Sequence, residues 1–276
     1  MREKMLEALN YTFVQNALIA GILLSVITGI IGALVVVNRL VFLSGGIAHS
    51  SYGGIGLAIY FGFSISLGSA LFAVASALLV AFLSLKNRDR TDTIIGVIWA
   101  VGMALGVVLI DLTPGYSGDL MSYLFGSILA VSKNDLYFMG VLALIVIGFV
   151  HFFYREILAI SYDSHYALLR GINANFFYTA ILVLSALAIV VSIKVVGLIL
   201  VIALMTIPTF IAERVSKTLY SMMLFSAFFS AIFTLIGLIF SYLYDLSSGA
   251  SIILVSATAL MLFLAGDYFK KKLFNK

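Results

Sequence analysis

The chain has 276 residues, of which 63% are hydrophobic and 10% charged, with a formal net charge of +4. Soluble domains average roughly 25% charged residues, so this composition and a mean hydropathy of +1.19 exclude an ordinary soluble fold and define an all-α polytopic membrane protein. The absence of cysteine excludes disulfides and thiolate metal sites, and basic residues confined to inter-helix loops call for no nucleic-acid partner.

A single integral-membrane domain is expected over 1–276. Residues 1–15 mix Arg2, Glu3, Lys4 and Glu7 with Leu6, Leu9 and Phe13, the pattern of an amphipathic lead-in at the membrane surface and not of a cleavable signal. Apolar runs then predict spans near Asn16–Val37, Val41–Gly62, Ile65–Leu85 and Thr93–Leu112. Leu120–Val131 is apolar but too short to cross, so a re-entrant or surface helix is expected there. Further spans follow near Leu136–Tyr154, Phe176–Ile193, Val195–Ala212, Tyr220–Tyr242 and Ser251–Phe269. About nine crossings result, with those built around glycines or a central proline the weakest by pattern.

Nine crossings with a cytoplasmic C-terminus put Arg39, Lys86, Arg88, Arg90, Arg155, Arg170, Arg214, Lys217, Lys270, Lys271, Lys272 and Lys276 inside. Only Arg2, Lys4, Lys133 and Lys194 lie outside. Twelve against four is a strong positive-inside bias. It predicts an extracytoplasmic N-terminus, a basic cytoplasmic tail at 270–276, and an outer face bearing Glu3, Glu7, Asp111, Asp119, Asp135 and Asp245.

The second span organises the chain. Gly45, His49, Gly53 and Gly56 share one helical face, and Gly46, Ser50 and Gly54 form a second small-residue stripe beside it. Two such stripes let neighbouring backbones approach on more than one side and place the helix inside a bundle. His49 is the only ionisable group well inside a span, which makes it either a metal or substrate contact or a packing residue bonded to a neighbouring helix. Pro208 interrupts the seventh span, as a packing kink or as a bend lining a pathway. Thr206 and Thr209 are placed to satisfy the backbone groups that it frees. His151 reads as interfacial and His165 as a surface residue. No Gly-x-x-x-x-Gly-Lys-Ser/Thr loop occurs, so the chain does not bind ATP in that manner. No paired intramembrane carboxylates or nucleophile–base motif point to an enzyme. Arg155–Asn173 is the longest inner loop; Ile157, Leu158, Ile160, Leu168 and Leu169 make it amphipathic.

Four stretches together resemble one family. They are Asn38-Arg39-Leu40-Val41-Phe42-Leu43 running into Gly45-Gly46-Ile47-Ala48-His49-Ser50; Leu124-Phe125-Gly126-Ser127-Ile128-Leu129-Ala130-Val131; Val196-Gly197-Leu198 through Ile207-Pro208-Thr209; and Ser248-Gly249-Ala250-Ser251. In that order they resemble the permease subunit of zinc/manganese ABC importers, the ABC-3 family, nearly end to end. The resemblance implies a homodimer related in fold to the cobalamin and siderophore permeases. It also implies two cytoplasmic ATPase subunits that bind ATP, an extracytoplasmic metal-binding protein, a bacterial-type plasma membrane, and no permanently bound cofactor. By position His49 matches the family's metal-contacting histidine. Gly45, Ser50, Gly53 and Pro208 would line the path, and Asp163, Ala167 and Gly171 would couple residues 155–173 to the ATPase. Gly45 stands where many members carry aspartate, which removes a hard oxygen ligand and tilts the expectation from manganese toward zinc. A permease for a metal chelate is the alternative, and a stand-alone secondary carrier a more distant one.

Overall fold

The computed structural model describes residues 11–85, 90–114, 126 and 128–274. The expected amphipathic lead-in (apart from residues 11–15), most of the helix expected at Leu120–Val131, Lys86 and Arg88, and the last two residues of the basic tail lie outside these residues. The described chain is helical almost throughout: α1 (Thr12–Val37), α2 (Val41–Phe61), α3 (Ile65–Ser84), α4 (Thr91–Asp111), a 3-10 turn (Ile128–Ala130), α5 (Lys133–Phe152), α6 (Tyr154–Tyr162), α7 (Ser164–Leu169), α8 (Ala174–Val196), α9 (Leu198–Val215), α10 (Leu219–Tyr244) and α11 (Ser248–Phe274).

Local chemistry sets these boundaries. The α2 helix stops at Gly62, whose φ of +75° is the left-handed cap that glycine adopts without strain. A capping box of Ser132 and Asp135 starts α5, and Thr218 with Ser221 does the same for α10. The Asn173 side chain accepts from the Phe176 amide at the start of α8. Each cap satisfies amides that the first turn leaves unpaired.

Two layers of contact build the bundle. In one, α2 is wrapped by α4, α3, α8 and α9. In the other, α1 packs on α10, α9, α5 and α8. Small residues bring α2 close to its neighbours. A Cβ on Gly56 would lie 2.6 Å from the Gly106 carbonyl oxygen and 2.7 Å from its Cα, and one on Gly102 would lie 2.8 Å from the Cα of Ser50. The matching of Ser50 with Gly102 and of Gly56 with Gly106 makes α2 and α4 parallel, while Gly54 against Gly68 closes the α2–α3 hairpin. On the other side, Thr28 and Ser230 hydroxyls pair at 3.3 Å between α1 and α10, and Thr209 and Ser226 at 2.7 Å between α9 and α10. Such buried hydroxyl pairs join helices where lipid supplies no hydrophobic drive for association.

Two ends of the bundle are distinguishable. At one, Asn16 donates to the Val131 carbonyl, and Lys194 at the end of α8 pairs with Asp135 at the start of α5. At the other, Asn38 donates to Ser161, Tyr220 to the Tyr154 hydroxyl, and Arg214 to Asp267. Hence α1 begins at the end opposite to the one where α11 finishes. Among the described residues, seven helices are long and apolar enough to cross a membrane (α1, α3, α4, α5, α8, α10 and α11), against about nine expected. The difference falls on α2 and α9. Glycines, serines and His49 dilute α2, whereas α9, 18 residues long, is as apolar as the counted α5. An interior helix faces protein, so it need not match the apolarity of lipid-facing ones. The segment at 155–173, read as a loop, is two short helices pinned by Ile157 and Ile160, both buried.

Close packing predicts a sharp contrast between glycines. Gly56→Ala must push two backbones apart, and an overpacked core costs about 1–3 kcal/mol. Gly148→Ala meets no atom within 4 Å. Thermal unfolding of the purified variants is expected to show a lowered midpoint for the first and an unchanged or raised one for the second.

Candidate translocation site

His49 is partly buried on α2, and its imidazole lies flat against the indole of Trp99 on α4, with centroids 4.4 Å apart and planes 9° from parallel. The parallel register of α2 and α4 puts the two rings at one level. Trp99 is held in turn: its Nε1–H donates to the sulfur of Met103 at 3.1 Å, and Phe42 packs on it at 5.7 Å. Neither ring nitrogen of His49 makes a hydrogen bond to the described residues. Stacking occupies the faces of an imidazole, whereas metal ligation and hydrogen bonding use its edge. The arrangement therefore holds the ring while leaving its nitrogens available.

Beside this pair runs a cleft of about 610 Å³ lined by Val36, Arg39, Val41, Phe42, Gly45, Asp92, Trp99 and Ile202. Its mouth carries Arg39 and Asp92, at the end where α1 turns into α2. Arg39 holds φ at +58°, a left-handed conformation uncommon for a residue with a side chain. The turn closes as the Arg39 and Leu40 amides donate to the Val36 and Val35 carbonyls. Gly45 lines the cleft one turn before His49. A Cβ there would meet only Ile202 Cδ1 at 3.3 Å and Trp99 Cζ3 at 3.8 Å, both side-chain atoms.

The other residues expected on the path do not line this cleft. Ser50 is fully buried, bonds its own helix at the Ile47 carbonyl, and packs on Gly102. A Cβ on Gly53 would meet the Phe72 ring at 2.7 Å and the Gly102 carbonyl at 2.8 Å, so this glycine serves the contacts of α2 with α3 and α4. Pro208 is buried on α9 and is not among the residues that line the cleft. Thr206 donates to Ile202 O, and Thr209 pairs with Ser226, so neither hydroxyl bonds the Leu204 carbonyl. His151 is exposed in the last turn of α5, and His165 is exposed on α7. Among the described residues no three His, Cys, Asp or Glu side chains gather closely enough to hold a metal ion.

At the same end as Arg39 and Asp92, Asp163 caps α7 by accepting from the His165 and Tyr166 amides at 2.9 and 3.1 Å. Ala167 is fully buried within the chain, so its small size serves internal packing. Gly171 has φ +76° and no neighbour to clash with an added Cβ, so its glycine answers to the turn itself. What projects outward is apolar: Tyr162 is 85% and Leu169 88% exposed, with Leu168 beside them and the Arg170 guanidinium over the Tyr166 ring at 5.3 Å.

Trp99 and Asp92 are the cleft residues that the motif reading passed over, and Arg39, inside a quoted motif, carried no site role there. The available signal for the first was that it is the only tryptophan in the chain. The residues at 10–267 match the model of the ABC 3 transport family. The chain belongs to this family, ABC-3, and has its permease fold. It is 44% identical to an uncharacterized membrane protein of Synechocystis over 96% of this chain and 94% of the other. It is 33% identical to the manganese transport system membrane protein MntC of Listeria monocytogenes over 97% and 95%. Among solved structures, PsaBC from Streptococcus pneumoniae in complex with Fab aligns with a TM-score of 0.83 at 27% identity, covering 95% of each chain. A metal-chelate type ABC transporter in an inward-facing conformation shares the fold at a TM-score of 0.71 and 18% identity, covering 91% of this chain and 85% of that one.

Cleft-lining and packing glycines separate by substitution. Gly45→Asp is expected to accumulate in membranes as the parent does, because Ile202 can yield. Gly53→Asp meets Phe72 and a backbone carbonyl, and its folded yield by size-exclusion profile is expected to drop several-fold.

Proposed function

We propose that this chain is the membrane permease of an ABC importer for a divalent transition-metal ion, with His49 as its contact in the translocation path. The single observation that carries the reading is the half-buried imidazole whose nitrogens make no hydrogen bond to the described residues, beside an open cleft in a chain of the ABC-3 family. The names of the Listeria and Streptococcus relatives support a metal-transport role at the level of the whole chain. A lone imidazole with no carboxylate on its face is a borderline ligand suited to Zn²⁺, and we take zinc as the preferred ion. Manganese is the second reading, favoured by the name of the Listeria relative.

In this reading the permease works as a homodimer in a bacterial-type plasma membrane. An extracytoplasmic binding protein delivers the ion to the end bearing Asp135 and Lys194. The ion passes His49 and leaves through the cleft toward Arg39 and Asp92, which the basic bias puts on the cytoplasmic side. Weak, incomplete coordination suits passage, since a closed ligand set would retain the ion. Two ATPase subunits, which bind and hydrolyse ATP in place of this chain, dock on the cytoplasmic end. The exposed Tyr162, Leu168 and Leu169 form the apolar knob that they grip, and Asp163 and Gly171 shape its turns.

Uptake of Zn²⁺ and Mn²⁺ by cells lacking their own importers tests the proposal. His49→Ala, expressed with the partner subunits, is expected to lose at least about tenfold of its uptake with unchanged membrane accumulation. Equal uptake by parent and variant would remove His49 from the path. Gly45→Asp is expected to raise the Mn²⁺-to-Zn²⁺ ratio by supplying a hard oxygen one turn from the imidazole. Leu169→Asp is expected to keep the fold, since that side chain is 88% exposed, and to lose stimulated ATP hydrolysis together with uptake.

A further inference from the structure

We propose that Trp99 is the positioning residue of the His49 site: its indole fixes the plane of the imidazole while lining the cleft beside it. The proposal rests on the reading of His49 as the ion contact. Three observations carry it. The two rings are parallel within 9° with centroids 4.4 Å apart, and no hydrogen bond to the described residues holds the imidazole, so the stack is what orients it. The indole is itself anchored, through its N–H to Met103 and its contact with Phe42, so it is a fixed platform. Trp99 also lines the cleft, together with Gly45 one turn before His49, so the ring that holds the imidazole is itself a wall of the space the ion would use.

A histidine on a glycine-rich helix has two free side-chain torsions and small residues on either side of it. An aromatic platform removes most of that freedom and directs the ring edge, with its lone pair, along one line. It does so without a polar partner that would compete for the nitrogen, in contrast to the common device of a carboxylate or carbonyl bonded to the second ring nitrogen. Loss of the platform should then weaken capture of the ion more than the maximal rate, because the imidazole would sample orientations that do not face it.

The lone tryptophan supplies the readout. Co²⁺ bound to His49 would lie within a few ångströms of the indole and quench its emission, so the purified full-length chain in nanodiscs is titrated with Co²⁺. Saturable quenching is expected for the parent and none for His49→Ala. In parallel, uptake kinetics of the chain with its partner subunits are compared for Trp99→Phe, which keeps a flat ring, and Trp99→Met, which keeps apolar bulk without one. Trp99→Phe is expected to keep KM within about threefold. Trp99→Met is expected to raise it at least about tenfold while retaining half or more of the maximal rate, and a merely structural role would lower accumulation and maximal rate at constant KM. An unchanged KM in Trp99→Met overturns the proposal. So does a parent protein whose emission ignores Co²⁺ while His49→Ala abolishes uptake. If Trp99→Met fails to accumulate, the parent titration and the Trp99→Phe kinetics decide on the same criteria. Uptake by His49→Ala equal to the parent's is a different failure: it removes the role of His49, and the positioning proposal goes with it.

Discussion

The close approach of α2 to α4 and α3 is the constraint on which the rest of the structure depends. Two helices at ordinary separation leave room for side chains between them. Here the backbone of Gly56 rests on Gly106, and that of Ser50 on Gly102, so the registers of α2 and α4 are locked. That lock aligns His49 with Trp99. It also sets Gly45 at the cleft, one turn before His49 and between Trp99 and Ile202. Dispersion across such a contact is summed over many short backbone contacts, each of which falls off within half an ångström of separation. Small residues therefore fix the geometry of the site without touching it.

A second consequence concerns polarity. Because α2 is wrapped by protein, it carries serines and a histidine that a lipid-facing helix would carry at high cost. Ser44 and Ser51 return their hydroxyls to backbone carbonyls of their own helix, at 2.7 Å in both cases, and so need no partner. His49 is different: no such return bond exists for it, and its faces meet an aromatic ring. Polar groups in the interior thus include those satisfied within their own helix, those paired between helices such as Thr28 with Ser230, and an imidazole that makes no hydrogen bond to the described residues.

Much of the fold was legible in the amino-acid sequence because lipid imposes a simple rule, that long apolar runs are helices that satisfy their own backbone. The interior position of α2 was equally legible, since stripes of small residues have few other uses. The roles of individual small residues were not. Gly45 opens onto a cleft and Gly53 is pressed against Gly102 and Phe72, yet both are glycines on one helix face. Ala167, read as a docking position, is buried, and the docking candidates beside it are the bulky Tyr162 and Leu169, which amphipathic pattern alone could not orient. The Trp99 stack was hidden for a related reason: α4 reads as an apolar span throughout, and only the register between two helices distant in sequence reveals which of its residues meets His49. The lower apolarity of α2 follows from the same physics, because that helix trades apolar side chains for close packing.

The most direct measurement of the central claim is zinc K-edge X-ray absorption on the assembled permease loaded with one equivalent of Zn²⁺, for the parent and for His49→Ala. The account predicts a nitrogen shell at about 2.0–2.1 Å with the outer-shell scattering of imidazole, present in the parent and lost in the variant. Superimposable spectra from the two proteins would contradict it, and would return His49 to the packing of α2 against α4.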